Sequence, residues 1–140
     1  MPILGRRTIA VAAALLSATG TLIVAAPAAN ADSLNCLADV YAVQSDNLTA
    51  IQDDSASDTS DAYAADAASL YYRTQGAPNC YYNPSVPYGI YTDASTGFGY
   101  VAAAETANNS GQAATALGYG QTASTYLNEA ITYMEPHDGP

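Results

Sequence analysis

The sequence predicts an all-α protein, a small up-and-down bundle of two helical hairpins (about four helices) held by one disulfide. Two long alanine-rich stretches carry apolar residues at helical intervals of three and four. Between them, residues 79–88 include two prolines, which the interior of a helix does not tolerate. The chain also has two cysteines, which can form only one bridge. Together these observations indicate two helical halves joined near Cys80.

Residues 1–31 are predicted to be a secretory signal peptide. Arg6 and Arg7 give it a positive start, an apolar run follows, and Ala29-Asn30-Ala31 matches the small-x-small cleavage pattern. The arginine pair leaves general secretory and twin-arginine export both open, with the former favoured. An uncleaved membrane anchor is disfavoured because polar residues interrupt the apolar run. We therefore expect a secreted protein, extracellular or in the cell envelope, whose residues 32–140 form a single helical domain.

Residues 32–140 are strongly acidic. They contain 13 Asp and Glu residues, no lysine, and Arg73 as their one strong cation, so their formal charge is −12. Such a surface repels phosphate backbones and anionic lipid. We therefore expect neither nucleic acid nor, after signal cleavage, a membrane as partner, and we expect a soluble monomer.

The first hairpin is predicted from two helical stripes. Residues 33–52 form the first helix, whose apolar stripe consists of Leu34, Leu37, Tyr41, Leu48 and Ile51. Val40 lies beside this stripe, and Gln44 occupies the one stripe position that lacks an apolar residue. Asp58, Thr59 or Ser60 caps a second helix that ends at Gly76, before Pro78. Its narrow stripe consists of Tyr63, Ala67, Leu70 and Thr74, with Tyr71 adjacent.

A disulfide between Cys36 and Cys80 follows from this hairpin. A short polar link between the two helices makes them antiparallel, so the start of the first lies beside the end of the second. The two cysteines lie at those ends. Exported chains meet oxidising conditions in which such a bridge persists.

The second hairpin has a less regular pattern. Residues 112–134 keep a helical stripe that Gly118 and Gly120 interrupt, and both glycines are interpreted as sites of close helix approach. Glu135-Pro136 is expected to end this helix. Residues 88–101 have two interpretations: a helix capped by Asp93, which is favoured, or a short β-hairpin with alternating aromatics around a glycine-containing turn.

The sequence contains no convincing catalytic constellation. Its single histidine, His137, lies three residues from the end, and the predicted bridge uses both cysteines. The three glutamates lie on separate turns, and no tryptophan offers a sugar platform, so a carboxylate-dependent hydrolase is only the third hypothesis. We predict no catalytic activity and no catalytic residues.

Residues 53–61 offer the oxygen ligands that calcium prefers. Counted from Asp53, however, an EF-hand loop needs glycine where Asp58 stands and glutamate where Ala64 stands. We interpret this stretch as helix caps around a solvated turn, and we predict no metal site and no cofactor.

Tyrosine is the most distinctive residue, with 12 copies against one phenylalanine. The candidate binding surface consists of the tyrosines around the predicted disulfide: Tyr71, Tyr72, Tyr81, Tyr82, Tyr88 and Tyr91. Such side chains offer large contact areas at low entropic cost, although ordinary packing at the end of a small core is the other explanation. We predict a secreted, non-catalytic binding protein for an unknown protein or envelope component. A carrier of haem or a similar flat ligand is the alternative, because tyrosinate can ligate haem iron.

Overall fold

The computed structural model describes residues 31–138. They form five helices and no strand: α1 (Ala31–Ser55), α2 (Thr59–Ala68), α3 (Leu70–Tyr81), α4 (Tyr88–Asn109) and α5 (Ala113–Asp138). Only Ser69 separates α2 from α3, so these two helices make one arm of a four-armed bundle. The predicted all-α bundle is confirmed. The predicted signal peptide lies outside the described residues, apart from Ala31.

Each arm packs on its neighbours around one main apolar core. The arm of α2 and α3 lies against α1, α5 packs against both α1 and α4, and α2 also contacts α4. The largest fully buried apolar side chains are Val40, Val43, Val101, Leu127 and Met134. None of the helices from residue 31 to 138 has the length and apolar character needed to cross a membrane.

The predicted disulfide between Cys36 and Cys80 is confirmed. Their Cα atoms lie 4.8 Å apart, and both side chains are almost fully buried. Met134 of α5 places its Sδ 3.5 Å from the Cys36 Sγ, so the bridge is packed into the core. The bridge spans 44 residues of sequence and constrains the unfolded chain, a contribution of about 4 kcal/mol at most. We call this end of the bundle the disulfide pole.

Several predicted helix boundaries are wrong. The second arm continues past Gly76 and Pro78 to Tyr81, because Gly76 serves close packing rather than termination. A Cβ at Gly76 would lie 3.0 Å from Asp39 Cβ and 3.0 Å from Phe98 Cζ. The last helix likewise continues through Pro136 to Asp138.

Residues 88–101 are helical, as favoured, and the β-hairpin alternative is wrong. The helix begins earlier than the predicted cap at Asp93, because the carbonyl of Pro87 accepts from the amides of Ile90 and Tyr91 at 2.9 and 3.1 Å. The pattern of buried residues has the period of a helix, because the residues that face the core recur at intervals of three and four: Ala94, Gly97, Phe98, Val101 and Ala104.

The structure also corrects the predicted buried face of the second arm. Tyr63, Leu70 and Tyr71, which belong to the predicted stripe or flank it, are 38, 54 and 67% exposed. The buried face is instead made of small and polar residues: Ala62, Ala65, Asp66, Ser69, Arg73, Gly76 and Cys80. The bridge to Cys36 turns Cys80 inward, which sets the rotation of α3.

In α1 the predicted stripe holds only in part. Leu37, Val40 and Gln44 are buried, whereas Leu48 is 51% exposed. Gln44 Nε2 donates to Ser124 Oγ at 2.8 Å and to Asn128 Oδ1 at 2.9 Å, so polar contacts join α1 to α5 here.

The two glycines of α5 differ in role. A Cβ at Gly120 would lie 2.9 Å from Ile51 Cγ1, and Asn47 Nδ2 donates to the Gly120 carbonyl at 3.0 Å. Gly120 therefore permits the close approach of α1, as predicted. Gly118 has open space around it, so the same interpretation is wrong there.

Candidate functional site

Four of the six predicted surface tyrosines come together at the disulfide pole. The Tyr81 ring centroid lies 4.9 Å from that of Tyr82 and 5.0 Å from that of Tyr91, in edge-to-face geometry. Tyr88 approaches Tyr91 at 6.0 Å. We call Tyr81, Tyr82, Tyr88 and Tyr91 the tyrosine quartet. Edge-to-face pairs at these distances stabilise one another beyond simple burial.

The quartet exposes most of its aromatic surface. Tyr81, Tyr82 and Tyr88 are 55, 77 and 76% exposed, while Tyr91 is half-buried and packs on the main core. Ordinary packing therefore accounts for Tyr91 but not for the other three rings. The half-buried Tyr91 ring thus contacts two of the three exposed rings, those of Tyr81 and Tyr88.

The connection between α3 and α4 holds the quartet in place. Asn83 is buried, and its Oδ1 accepts from the Ser85 amide at 2.9 Å. The Val86 amide donates to the Asn83 carbonyl at 3.1 Å, and Val86 packs into the core. With Cys80 fixed by the disulfide on one side and Pro87 starting α4 on the other, this short segment is tied at both ends.

The structure separates the other two predicted tyrosines from the quartet. Tyr71 and Tyr72 contact each other, with ring centroids 5.4 Å apart. No ring contact among the described residues joins this pair to the quartet. Tyr71 is exposed, whereas Tyr72 is half-buried against the core.

The sequence analysis does not predict a buried polar layer that lies near the C-terminal end of α1, the opposite end from Cys36. Asn108 Nδ2 of α4 donates to Asp66 Oδ2 of α2 at 3.1 Å and lies 3.4 Å from Asp54 Oδ2 of α1. Arg73 pairs with Glu105, and its Nε donates to Ser69 Oγ at 2.8 Å. We call Asp54, Asp66, Arg73, Glu105 and Asn108 the polar layer.

Ser69 explains both the division between α2 and α3 and the position of Arg73. The Asp66 carbonyl accepts from the Ser69 amide at 3.1 Å, from Ser69 Oγ at 2.6 Å and from Arg73 Nη2 at 3.3 Å. Side-chain donors that reach a helix carbonyl in this way compete with the helical ladder and bend it. Arg73 therefore lies on the buried face of α3.

Burial dominates the electrostatics of the polar layer. It raises the pKa of Asp54 to about 6 and that of Asp66 to about 7, even though Asn108 donates to both carboxylates. Asp54 is 4% exposed and Asp66 is fully buried. The carboxyl groups of Asp54 and Asp66 are therefore too buried to contact a substrate from solvent.

The acidic turn between α1 and α2 is built as a helix cap. Asp58 Oδ1 accepts from the Asp61 amide at 3.1 Å, which satisfies an open donor at the start of α2. Ser57 has a φ of 59°, which lets the chain reverse. Over residues 31–138 no three His, Cys, Asp or Glu side chains gather in a group suited to a metal ion.

Two shallow grooves lie on the surface of α5, and the larger one runs between α5 and α4. The larger, of about 810 Å³, is lined by Ile90, Asp93, Asn128, Glu129 and Tyr133 among others. The smaller, of about 590 Å³, shares Thr125 and Glu129 with it. Neither is lined by a member of the quartet.

Comparisons with protein-family models, curated proteins and solved structures find no match to this chain.

Proposed function

We propose that this protein is a secreted, non-catalytic binding protein whose contact surface is the tyrosine quartet. The exposure of Tyr81, Tyr82 and Tyr88 above a half-buried Tyr91 carries this proposal. Exposed aromatic clusters are uncommon on monomers and mark sites of association, and tyrosine is enriched among the residues that dominate binding energy.

The surroundings of the quartet support the same function. The disulfide and the short connection fix the backbone on both sides of it, so little ordering is needed when a partner binds. The bridge also suits the oxidising compartment that the predicted signal peptide implies. We propose a protein or an envelope component as the partner.

The test replaces one tyrosine at a time with a photo-reactive phenylalanine analogue in the producing cells. At position 82 we expect discrete cross-linked adducts; at position 119, where the native tyrosine is also exposed but belongs to α5, we expect none. Adding Tyr81→Ala and Tyr88→Ala to the position-82 variant should abolish the adducts. Identical adducts from positions 82 and 119, or no adduct from position 82, would reject the proposal.

A further inference from the structure

The quartet continues along the outer side of α3. One side of this helix carries four residues: Leu70 and, at one, eight and eleven positions after it, Tyr71, Pro78 and Tyr81. All four are exposed, with Leu70 at 54% and Tyr71 at 67%. We call these four residues the α3 strip. It extends the quartet by roughly 17 Å at the helical rise per residue.

The strip lies in the longest stretch of residues 32–140 that has no Asp or Glu. No Asp or Glu occurs between Asp66 and Asp93, although residues 32–140 hold 13 of them. Arg73 is the only charged residue of α3, and it is buried and paired with Glu105. The strip is thus an uncharged apolar surface on a strongly acidic protein, and an apolar centre with a polar rim is typical of protein-binding patches.

The charge of the protein indicates which kind of partner could bind to the strip. A second copy of the chain would bring the same −12 charge of residues 32–140 and be repelled. Lys and Arg side chains would be attracted, and they also stack favourably on tyrosine faces. Arg73 is the only Lys or Arg after residue 7 and is buried, so no arginine or lysine side chain of residues 35–135 competes for those faces.

We propose that the α3 strip, together with the quartet, docks a basic amphipathic polypeptide segment: apolar side chains on the strip and Lys or Arg side chains toward the acidic surroundings. This inference rests on the proposed function and names the chemical class of the partner. Charge complementarity of this kind sets specificity and association rate more than total affinity.

The test uses three synthetic helical peptides as probes. The first peptide carries leucine on one helical face and arginine on the opposite face. The second has glutamate in place of arginine, and the third keeps arginine but has glutamine in place of leucine. Titrated into isotope-labelled protein, the first should shift the amide resonances of Leu70, Tyr71 and Tyr81. We expect the second and third to bind at least about tenfold more weakly, and the first to weaken as salt rises.

Variants locate the binding. Leu70→Glu should weaken the leucine–arginine peptide about tenfold or more, since it places a charge in the apolar centre. Tyr119→Glu, on α5, is the matched control and should leave its affinity unchanged. Because Leu70 is 54% exposed, Leu70→Glu should keep the wild-type thermal midpoint. Circular dichroism should show the wild-type helical content in both variants.

Three results would overturn the inference: equal binding of the glutamate peptide, unchanged affinity of Leu70→Glu, or self-association of the protein through the strip once salt screens its charge. None of these results bears on the proposed function of the quartet, which the cross-linking experiment tests separately. If position 82 still cross-links a partner, only the basic class of the partner is rejected. If position 82 yields no adduct, the proposed function itself fails.

Discussion

Asp66 combines complete burial with an ionisable carboxyl group. It lies on the face of α2 that meets α1 and α4, where Asn108 donates to its Oδ2 and its Oδ1 has no hydrogen-bond partner. Burial raises its pKa to about 7, so the ionised form at higher pH destabilises the fold. The neutral form is the one that suits this site.

The substitution Asp66→Asn tests this directly, because it keeps the shape and removes the charge. At pH 8 we expect a higher free energy of unfolding than in the wild type, by on the order of a few kcal/mol, since one pKa unit corresponds to about 1.4 kcal/mol. At pH 4, where the wild-type group is already neutral, the two proteins should match. Urea unfolding followed by circular dichroism at both pH values measures the difference.

Asp93→Asn is the control for Asp66→Asn. Asp93 of α4 is half-buried, lines the larger groove and lies outside the polar layer. Its substitution removes a carboxylate of the same kind from outside the polar layer, so comparison of the two variants isolates the effect of the buried position. A loss of stability at pH 8 in Asp66→Asn would contradict the destabilising role of the buried charge.

At the scale of elements, α4 approaches α5 through Gly97. A Cβ at this position would lie 2.7 Å from both Cγ and Cδ2 of Leu127, which is fully buried. Gly99, two residues along the same helix, faces open space. The two glycines therefore have the same helix propensity and opposite surroundings.

This contrast predicts opposite signs for two alanine substitutions. Gly97→Ala should lower the free energy of unfolding by about 1–3 kcal/mol, because Leu127 has no room to move aside. Gly99→Ala should raise it by up to about 1 kcal/mol through helix propensity alone. Chemical unfolding of the two variants side by side measures both changes. A stabilised Gly97→Ala protein would show that Leu127 can move aside and that α4 and α5 pack loosely at this point.

The existence of the helices could be predicted from the sequence, but not every face that they bury. Leu70 and Tyr71 look like core residues by spacing and lie outside, because apolar residues are also common on protein surfaces. A usable signal was present in Cys80. Counting back from it by helical steps passes the residues of the buried face: Gly76, Arg73, Ser69, Asp66 and Ala62.

At the scale of the whole molecule, the disulfide and the four-armed bundle follow from local patterns, whereas the polar layer does not. Its members come from four helices, α1 to α4, and only the tertiary fold brings them together. From the sequence, Asp54 falls in a solvated turn and Glu105 has no evident partner. The tyrosine quartet could be predicted because its members are near one another in sequence.

The raised carboxyl pKa values predict how the stability of the whole fold depends on pH. Burial raises the pKa from 3.8 to about 6 for Asp46 and Asp54, and from 3.8 to about 7 for Asp66. The folded protein therefore binds more protons than the unfolded chain between these values. The stabilisation is complete below about pH 3.8 and is lost as pH rises through about 6 and then about 7.

The thermal midpoint should accordingly fall between pH 4 and pH 8, the reverse of the trend in proteins whose carboxylates are stabilised by ion pairs. The charged groups around Asp54 and Asp66 act in both directions. Arg73 favours the ionised form of Asp66, while Asp53 beside Asp54 and Glu105 beside Asp66 favour the protonated forms. Calorimetry at constant ionic strength measures the trend, and a double Asp54→Asn, Asp66→Asn variant should reduce it to the contribution of Asp46. A wild-type midpoint that rises toward pH 8 would mean that the acidic interior is ionised at little cost, and that solvent reaches the polar layer.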